Sequence, residues 1–240
     1  MTAAPTDAQL DHLVVVAATL EDGVAWCENT LGLTPTAGGE HPLYATHNRI
    51  FKIASPVFGM AYFEIIATNP NATRSKKALG KRWFDMDDAA LKAATAKTPR
   101  LVHFVVNTPD LKAARMAWRM QGIDRGPAVH ASRQTPKGML HWQISVRADG
   151  ARLFDGALPT LIQWGKPDAT EPLKLHPRNT LPRSGVRLQS LSVHHPSADK
   201  LKAAYDAIGL ANIDVQTGAA NLVATLQTPK GLVTLESLGV

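Results

Sequence analysis

LVHFVVNTPDLKAARMAWRMQGI, residues 101–123, reads as an apolar run, a helix start at Asp110 and an amphipathic helix closed by Gly122. It aligns without a gap on LQSLSVHHPSADKLKAAYDAIGL, residues 188–210, bringing Pro109 onto Pro196 and Gly122 onto Gly209. LDHLVVVAATLEDGVAWCENTLGL, residues 10–33, joins them with one inserted residue. A segment used three times marks a duplicated structural unit.

Reading outward, the pentapeptide QTPKG occurs at 134–138 and again at 227–231, each time before a β-rich run. Pro and Gly two residues apart predict a hairpin turn. Five residues beyond the glycine, GLVTLES carries Glu236 and GMLHWQIS carries Gln143; GMAYFEII, from Gly59 to Ile66, carries Glu64 at the same offset. The expected organisation is three βα-plus-strands modules at 10–68, 100–165 and 186–238, with connectors at 69–99 and 166–185 richer in Pro, Lys, Arg and Asn. Residues 87–97, DDAALKAATAK, predict a short helix in the first connector. A further strand-like run, LPTLIQW at 158–164, places Gln163 in competition with Gln143 for the terminal register of module two.

Composition sets the class. With 45% apolar and 19% charged residues the chain is globular, and the first apolar run, Leu13 to Ala18, is far too short to span a bilayer. A cytoplasmic protein without a membrane partner is the expectation. Cys27, the single cysteine, lies on the apolar stripe of the first helix and reads as core packing. The formal charge is +6, yet only RSKKALGKR, from Arg74 to Arg82, is dense in basic residues, and no aromatics interleave it. It reads as a solvated surface rather than a nucleic-acid site, and an anionic small substrate fits the charge as well. No phosphate-binding glycine loop and no G-x-S-x-G elbow occurs. The doublet His194-His195 does not read as a metal motif, because adjacent strand residues face opposite sides.

Two histidines share one position of the repeat: His12 falls on His103, with Ser190 in the third copy. Both sit in apolar runs, as does Glu64 in YFEII, and a buried ring or carboxylate needs a partner. Two imidazoles and a carboxylate converging from strands suit Fe, Mn, Zn or Ni. The competing reading makes each histidine a core residue bonded to backbone.

LDHLVVVA at 10–17, GGEHPLYATHNRIFKI at 38–53, YFEII at 62–66 and LPTLIQWG at 158–165 together resemble the glyoxalase-like domain proteins of the vicinal oxygen chelate superfamily. Gly-Gly, His-Pro and Asn-Arg in the second stretch are the most specific features; Ala45 stands where Gly is usual. The resemblance implies an α+β fold in which paired βαβββ modules form a half-open β-cup, here a glyoxalase-like domain over 1–165 followed by a degenerate third module over 186–240. It implies metal ligands at His12, Glu64, His103 and Gln163, with Glu64 also the catalytic carboxylate. His41, Thr46, Asn48, Arg49, His141 and Trp164 would bind substrate. Gln163 is a departure, since a carboxylate is more typical there and Gln holds a divalent cation less strongly. The implied chemistry is polarisation of a small oxygen-rich, anionic substrate by the metal, in a lyase, isomerase or dioxygenase. The alternative is a non-catalytic protein sequestering an apolar or aromatic ligand, which Tyr44, Trp142 and Trp164 favour. Modules one and two are expected to pair, leaving module three as a cover or an oligomer surface that allows a homodimer.

Overall fold

The computed structural model describes residues 7–75, 80–166 and 169–239, so four residues of the basic connector, 76–79, lie outside it. Module one runs β1 (Gln9–Val16), α1 (Leu20–Leu31), β2 (Thr36–His41), β3 (Thr46–Lys52) and β4 (Tyr62–Thr68). The first connector contains α2 (Ala89–Thr95). Module two repeats the order with β5 (Arg100–Asn107), α3 (Leu111–Met120), β6 (Ala128–Thr135), β7 (Gly138–Ser145) and β8 (Thr160–Trp164). A one-turn helix, α4 (Pro177–Thr180), interrupts the second connector. Module three comprises β9 (Arg187–His194), α5 (Ala198–Asp206), β10 (Asp214–Gln216), β11 (Asn221–Thr228) and β12 (Gly231–Glu236).

Local chemistry explains these boundaries. Thr19 and Asp110 accept from the Asp22 and Ala113 amides and cap α1 and α3, while Gly32 ends α1 in the left-handed region at φ 77°. Both QTPKG copies close hairpins, β6–β7 and β11–β12, by one device: Thr135 and Thr228 each donate to the carbonyl of the following glycine and accept from the intervening lysine amide.

Modules one and two form one eight-stranded sheet in the order β2-β3-β4-β1-β5-β8-β7-β6. In each, the first strand lies parallel to the fourth, and β1 joins β5 antiparallel. The sheet curls until its edges face each other, so that residues of β2 and β6 line common cavities. This is the expected α+β cup of paired βαβββ modules. Inside it lies one apolar cluster containing Val14, Val105, Trp83, Phe84, Trp142 and Trp164. Outside, beneath the helices, lies a second that takes in Leu13, Phe63, Phe104, Trp118 and the whole apolar face of module three.

Module three keeps the element order of the others but pairs differently, as β10-β9-β11-β12. Its first strand is flanked by β10 and β11 instead of lying beside a terminal strand. Ser190 is exposed on β9, and the exposed Glu236 carboxylate accepts from Asn221. No helix among the described residues is long and apolar enough to cross a membrane.

Candidate functional site

Strand alternation divides the expected residues. On β1 and β4, His12 and Glu64 face into the cup, with His12 Nε2 3.5 Å from Glu64 Oε2. A bulge in the β1–β5 ladder between Leu10 and His12 lets the neighbouring Asp11 reach the same side, where its Oδ1 lies 2.7 Å from His12 Nδ1. Asp11 Oδ2 accepts from Trp164 Nε1 at 2.8 Å and from His176 Nε2 at 2.9 Å. The Arg178 amide donates to His176 Nδ1, which fixes the hydrogen on Nε2. The Tyr62 ring stacks on His12 at 4.5 Å.

These buried charges set one another's protonation. Burial disfavours the His12 cation, but hydrogen bonds to Asp11 and Glu64 outweigh it and push the imidazole up to about 9. For Asp11 and Glu64 burial acts upward, and the histidines beside them hold both carboxyls below the usual carboxylate range. At neutral pH the floor of the cup is therefore an imidazolium between two carboxylates. Burial pulls His41 down to about 4, so its ring is neutral.

The Gly-Gly and Asn-Arg motif shapes one wall. Asn48 donates to Glu64 Oε1 at 2.5 Å and accepts from the Gly39 amide at 2.7 Å, pinning the carboxylate to β2. A methyl at Gly38 would stand 2.0 Å from Asn48 Oδ1, and one at Gly39 1.6 Å from an Arg133 guanidinium nitrogen. Gly38 is needed for that close approach, since a methyl there would also meet the Asn48 backbone carbonyl, whereas at Gly39 the flexible Arg133 side chain would have to move aside. Thr46 bonds His41 Nδ1 at 3.1 Å, and the His41 ring meets the edge of Trp83. Trp83 stacks on Tyr44 at 4.3 Å, so the first connector supplies part of the cup wall.

Several expected residues do not join this set. Gln163 alternates to the outer face, where its Oε1 accepts from the Leu111 amide at the start of α3. Gln143 lies opposite it on β7, between the cup-lining Trp142 and Ile144. The residue in the register of Glu64 is neither: Val14 pairs with Glu64 and Val105 with Thr160, so Thr160 is the counterpart. His141 also faces outward, in a shallow depression with His130 and Lys166. Arg49 alternates away from Asn48 and Ile50 and does not line the cup. Trp164 does line it, and holds Asp11.

His103 is sealed below Phe84, whose ring lies 5.4 Å away. Its Nδ1 donates to the Gly156 carbonyl at 2.9 Å, and its Nε2 lies 3.1 Å from the Thr160 amide and 3.2 Å from Arg125 Nη2. Arg125 is buried and bonds Thr160 Oγ1 and the Pro159 carbonyl. Burial and this guanidinium hold the His103 imidazole well below its ordinary value.

The divalent metal implied by the resemblance does not fit these residues. Each nitrogen of His103 is engaged, and the protein's own cation, Arg125, stands beside the one that would ligate. Glu64 Oε1 and both Asp11 oxygens are likewise committed. Among the described residues no group of three or more His, Cys, Asp or Glu side chains is placed to hold a metal ion.

Asp11, His176, Arg125, Thr160 and Arg133 were not legible as site residues. Asp11 alone carried a signal, an acid adjacent to His12 inside a buried strand. Arg133, half-buried on β6, reaches the cup floor beside Glu64 and Tyr62 and also lines a cleft of 650 Å³ between the sheet edges.

Among solved structures, a hypothetical protein from Staphylococcus aureus matches with TM-score 0.58 at 14% identity, over 89% of this chain and 87% of that one. Methylmalonyl-CoA epimerase from Mycobacterium tuberculosis matches with TM-score 0.37 at 15% identity, over 68% of this chain and 91% of that one. A mutant 4-hydroxymandelate synthase from Streptomyces coelicolor matches with TM-score 0.47 at 10% identity, over 97% of this chain and 63% of that one. The first likeness shows the fold; the other two are too loose to bear on chemistry. Among curated proteins none matches the sequence. The family model described as "Glyoxalase-like domain" matches residues 10–209, which include the site and the start of module three, and the chain belongs to that family.

Proposed function

We propose that the chain is a glyoxalase-like enzyme that moves a proton on a small, oxygen-rich, anionic molecule, as an isomerase or lyase does. One observation carries the reading: a buried carboxylate, Glu64, pinned by Asn48 and facing the His12 imidazolium across 3.5 Å, on the floor of a cup that Arg133 also lines. A carbon-bound proton beside a carbonyl passes to Glu64, the C–H electron pair forms a carbon–carbon double bond, and the carbonyl π pair moves onto the oxygen. His12 donates a hydrogen bond to that oxygen as its charge develops, with Asp11 holding the imidazolium in place. Delivery of a proton to the opposite face of the same carbon gives the epimer; where that carbon bears a hydroxyl, transfer of the hydroxyl proton to the enolate oxygen and return of the proton from Glu64 to the former carbonyl carbon give the isomer. A carboxylate held below its usual pKa is a weak base, but an anion bound near Arg133 repels its charge and raises its proton affinity.

A second reading, sequestration of an aromatic ligand, has its own support in the 270 Å³ pocket lined by Tyr44, Trp83 and Trp142. Exchange of carbon-bound hydrogen in D₂O, followed by proton NMR on 2-oxobutyrate, acetoacetate and oxaloacetate, separates the two. The expected result is exchange that survives dialysis against EDTA and falls about 10²-fold or more in Glu64→Gln and His12→Gln. Exchange that is indifferent to Glu64→Gln overturns the role given to that residue, whereas no exchange from a protein that binds 1-naphthol in the cup favours sequestration.

A further inference from the structure

Arg133 is the cation in the cup with no hydrogen bond or ion pair to any described residue. It projects from β6 across the seam between the sheet edges and lies against Gly39 on β2. Its guanidinium sits near enough to His41 and Tyr62 to act on both electrostatically. Glu40, exposed on the rim, forms no ion pair with it. A half-buried guanidinium without a partner keeps its hydrogen-bond donors available for an anion.

The cleft extending outward from Arg133 has an apolar side and a polar one, the latter formed by Glu40, Ser132, Gln134, Thr135 and Lys137. Ile50 and Leu140 form its inner end, shared with the cup floor, while Leu175, Pro177 and Leu181 from the second connector close one side. Its 650 Å³ lies within the range that holds small-molecule ligands. We infer that this cleft holds an aliphatic carboxylate, its headgroup forked on Arg133 and its chain along Ile50, Leu140, Leu175 and Pro177; the inference rests on, and deepens, the proton-transfer reading of the same site. A carboxylate suits the place better than a phosphate. Phosphate sites gather several donors, but here the Gly39 amide is spent on Asn48 and the nearest lining cation, Lys137, lies away in the β6–β7 turn. Arg133 lines both the cleft and the floor that carries Glu64, so a headgroup held on it sits where the two meet.

Isothermal titration with acetate, hexanoate, octanoate, octylamine and inorganic phosphate tests this on the full chain. Affinity is expected to rise from acetate to octanoate, with octylamine and phosphate weaker than octanoate. Arg133→Ala should weaken octanoate at least about tenfold, and Arg133→Lys, which keeps the charge but loses the fork, should recover part of it. Circular dichroism confirms that each variant is folded; should Arg133→Ala not fold, Arg133→Gln serves in its place. Equal octanoate affinity in folded Arg133→Ala, acetate binding as tightly as octanoate, or a preference for phosphate each overturns the inference. Octanoate binding that depends on Arg133, with no hydrogen exchange in any probe, sinks the proton-transfer reading and leaves the cleft standing. Exchange indifferent to Arg133→Ala and to chain length does the reverse.

Discussion

His12 shows how one residue ties stability to pH. Its folded pKa is raised from 6.5 to about 9, so the stabilisation it contributes is complete below 6.5 and is lost as pH rises toward 9. Asp11 and Glu64 are shifted the opposite way; their contribution is present above the ordinary carboxylate values and is lost in acid. Burial raises the Tyr62 phenol well above 10, so it costs stability only above pH 10, beyond the limb set by His12. His41 and His103 are held neutral in the fold and cost stability as pH falls below 6.5, so melting temperature should peak near pH 6.5 and fall by several degrees toward pH 9, a loss on the order of a few kcal/mol, while His12→Gln should lack that alkaline limb. A wild-type profile flat from 6.5 to 9 would show that His12 is not held between the two carboxylates as an imidazolium. Ala45 offers a different residue-scale test. It sits at φ 49°, buried, in the position where the sequence pattern expects glycine. An L residue there is strained by about 1–2 kcal/mol, partly offset by the greater chain entropy of glycine, so Ala45→Gly should stabilise by up to about 1 kcal/mol in urea denaturation. Destabilisation would mean that the methyl group packs better than the backbone is strained.

At the level of elements, what was legible is what local chemistry encodes. Thr19 and Asp110 before apolar periodicity, Gly32 and Gly122 after it, and the threonine of each QTPKG turn specify starts, stops and hairpins from neighbouring residues alone. Facing was harder to read, because it depends on which strand lies alongside. Counting along the sequence offered Gln143 and Gln163 for the place that strand register gives to Thr160, and both glutamines point outward. The exception to alternation, the bulge that turns Asp11 inward with His12, has no sequence mark. Gln163 instead joins two elements: its carbonyl takes one of the amides that the first turn of α3 leaves unpaired. Gln163→Ala should accordingly cost about 1 kcal/mol of stability by urea denaturation and leave octanoate affinity unchanged. A loss of affinity at unchanged stability would return Gln163 to the site.

For the whole molecule, the decisive feature is that module three shares a core with the other two. Leu188, Leu191, Leu201 and Leu226 lie in the same apolar cluster as Phe104, Leu111 and Trp118, and β11 and β12 lie against β5. Polar contacts cross the same junction: Trp118 donates to the Ala204 carbonyl at 2.7 Å, and Tyr205 donates to that of Ala157. The triplicated segment made this module visible in the sequence, but the order of its strands was not, since identical element order permits more than one pairing. With this strand order module three forms a separate four-stranded sheet, and its apolar face covers the outer face behind His103. A chain ending at residue 185 would expose that face, including the fully buried Trp118 and Phe104, and is expected to be insoluble. In the full chain, the shared core requires urea unfolding followed by far-UV circular dichroism and by tryptophan fluorescence to give one superimposable transition. Trp118→Phe keeps most of the ring but strands the Ala204 carbonyl, so it should lower the single midpoint by an amount worth about 1–3 kcal/mol. Two separated transitions, or a soluble folded fragment ending at 185, would make module three an independent unit and remove the reason for its contact with β5.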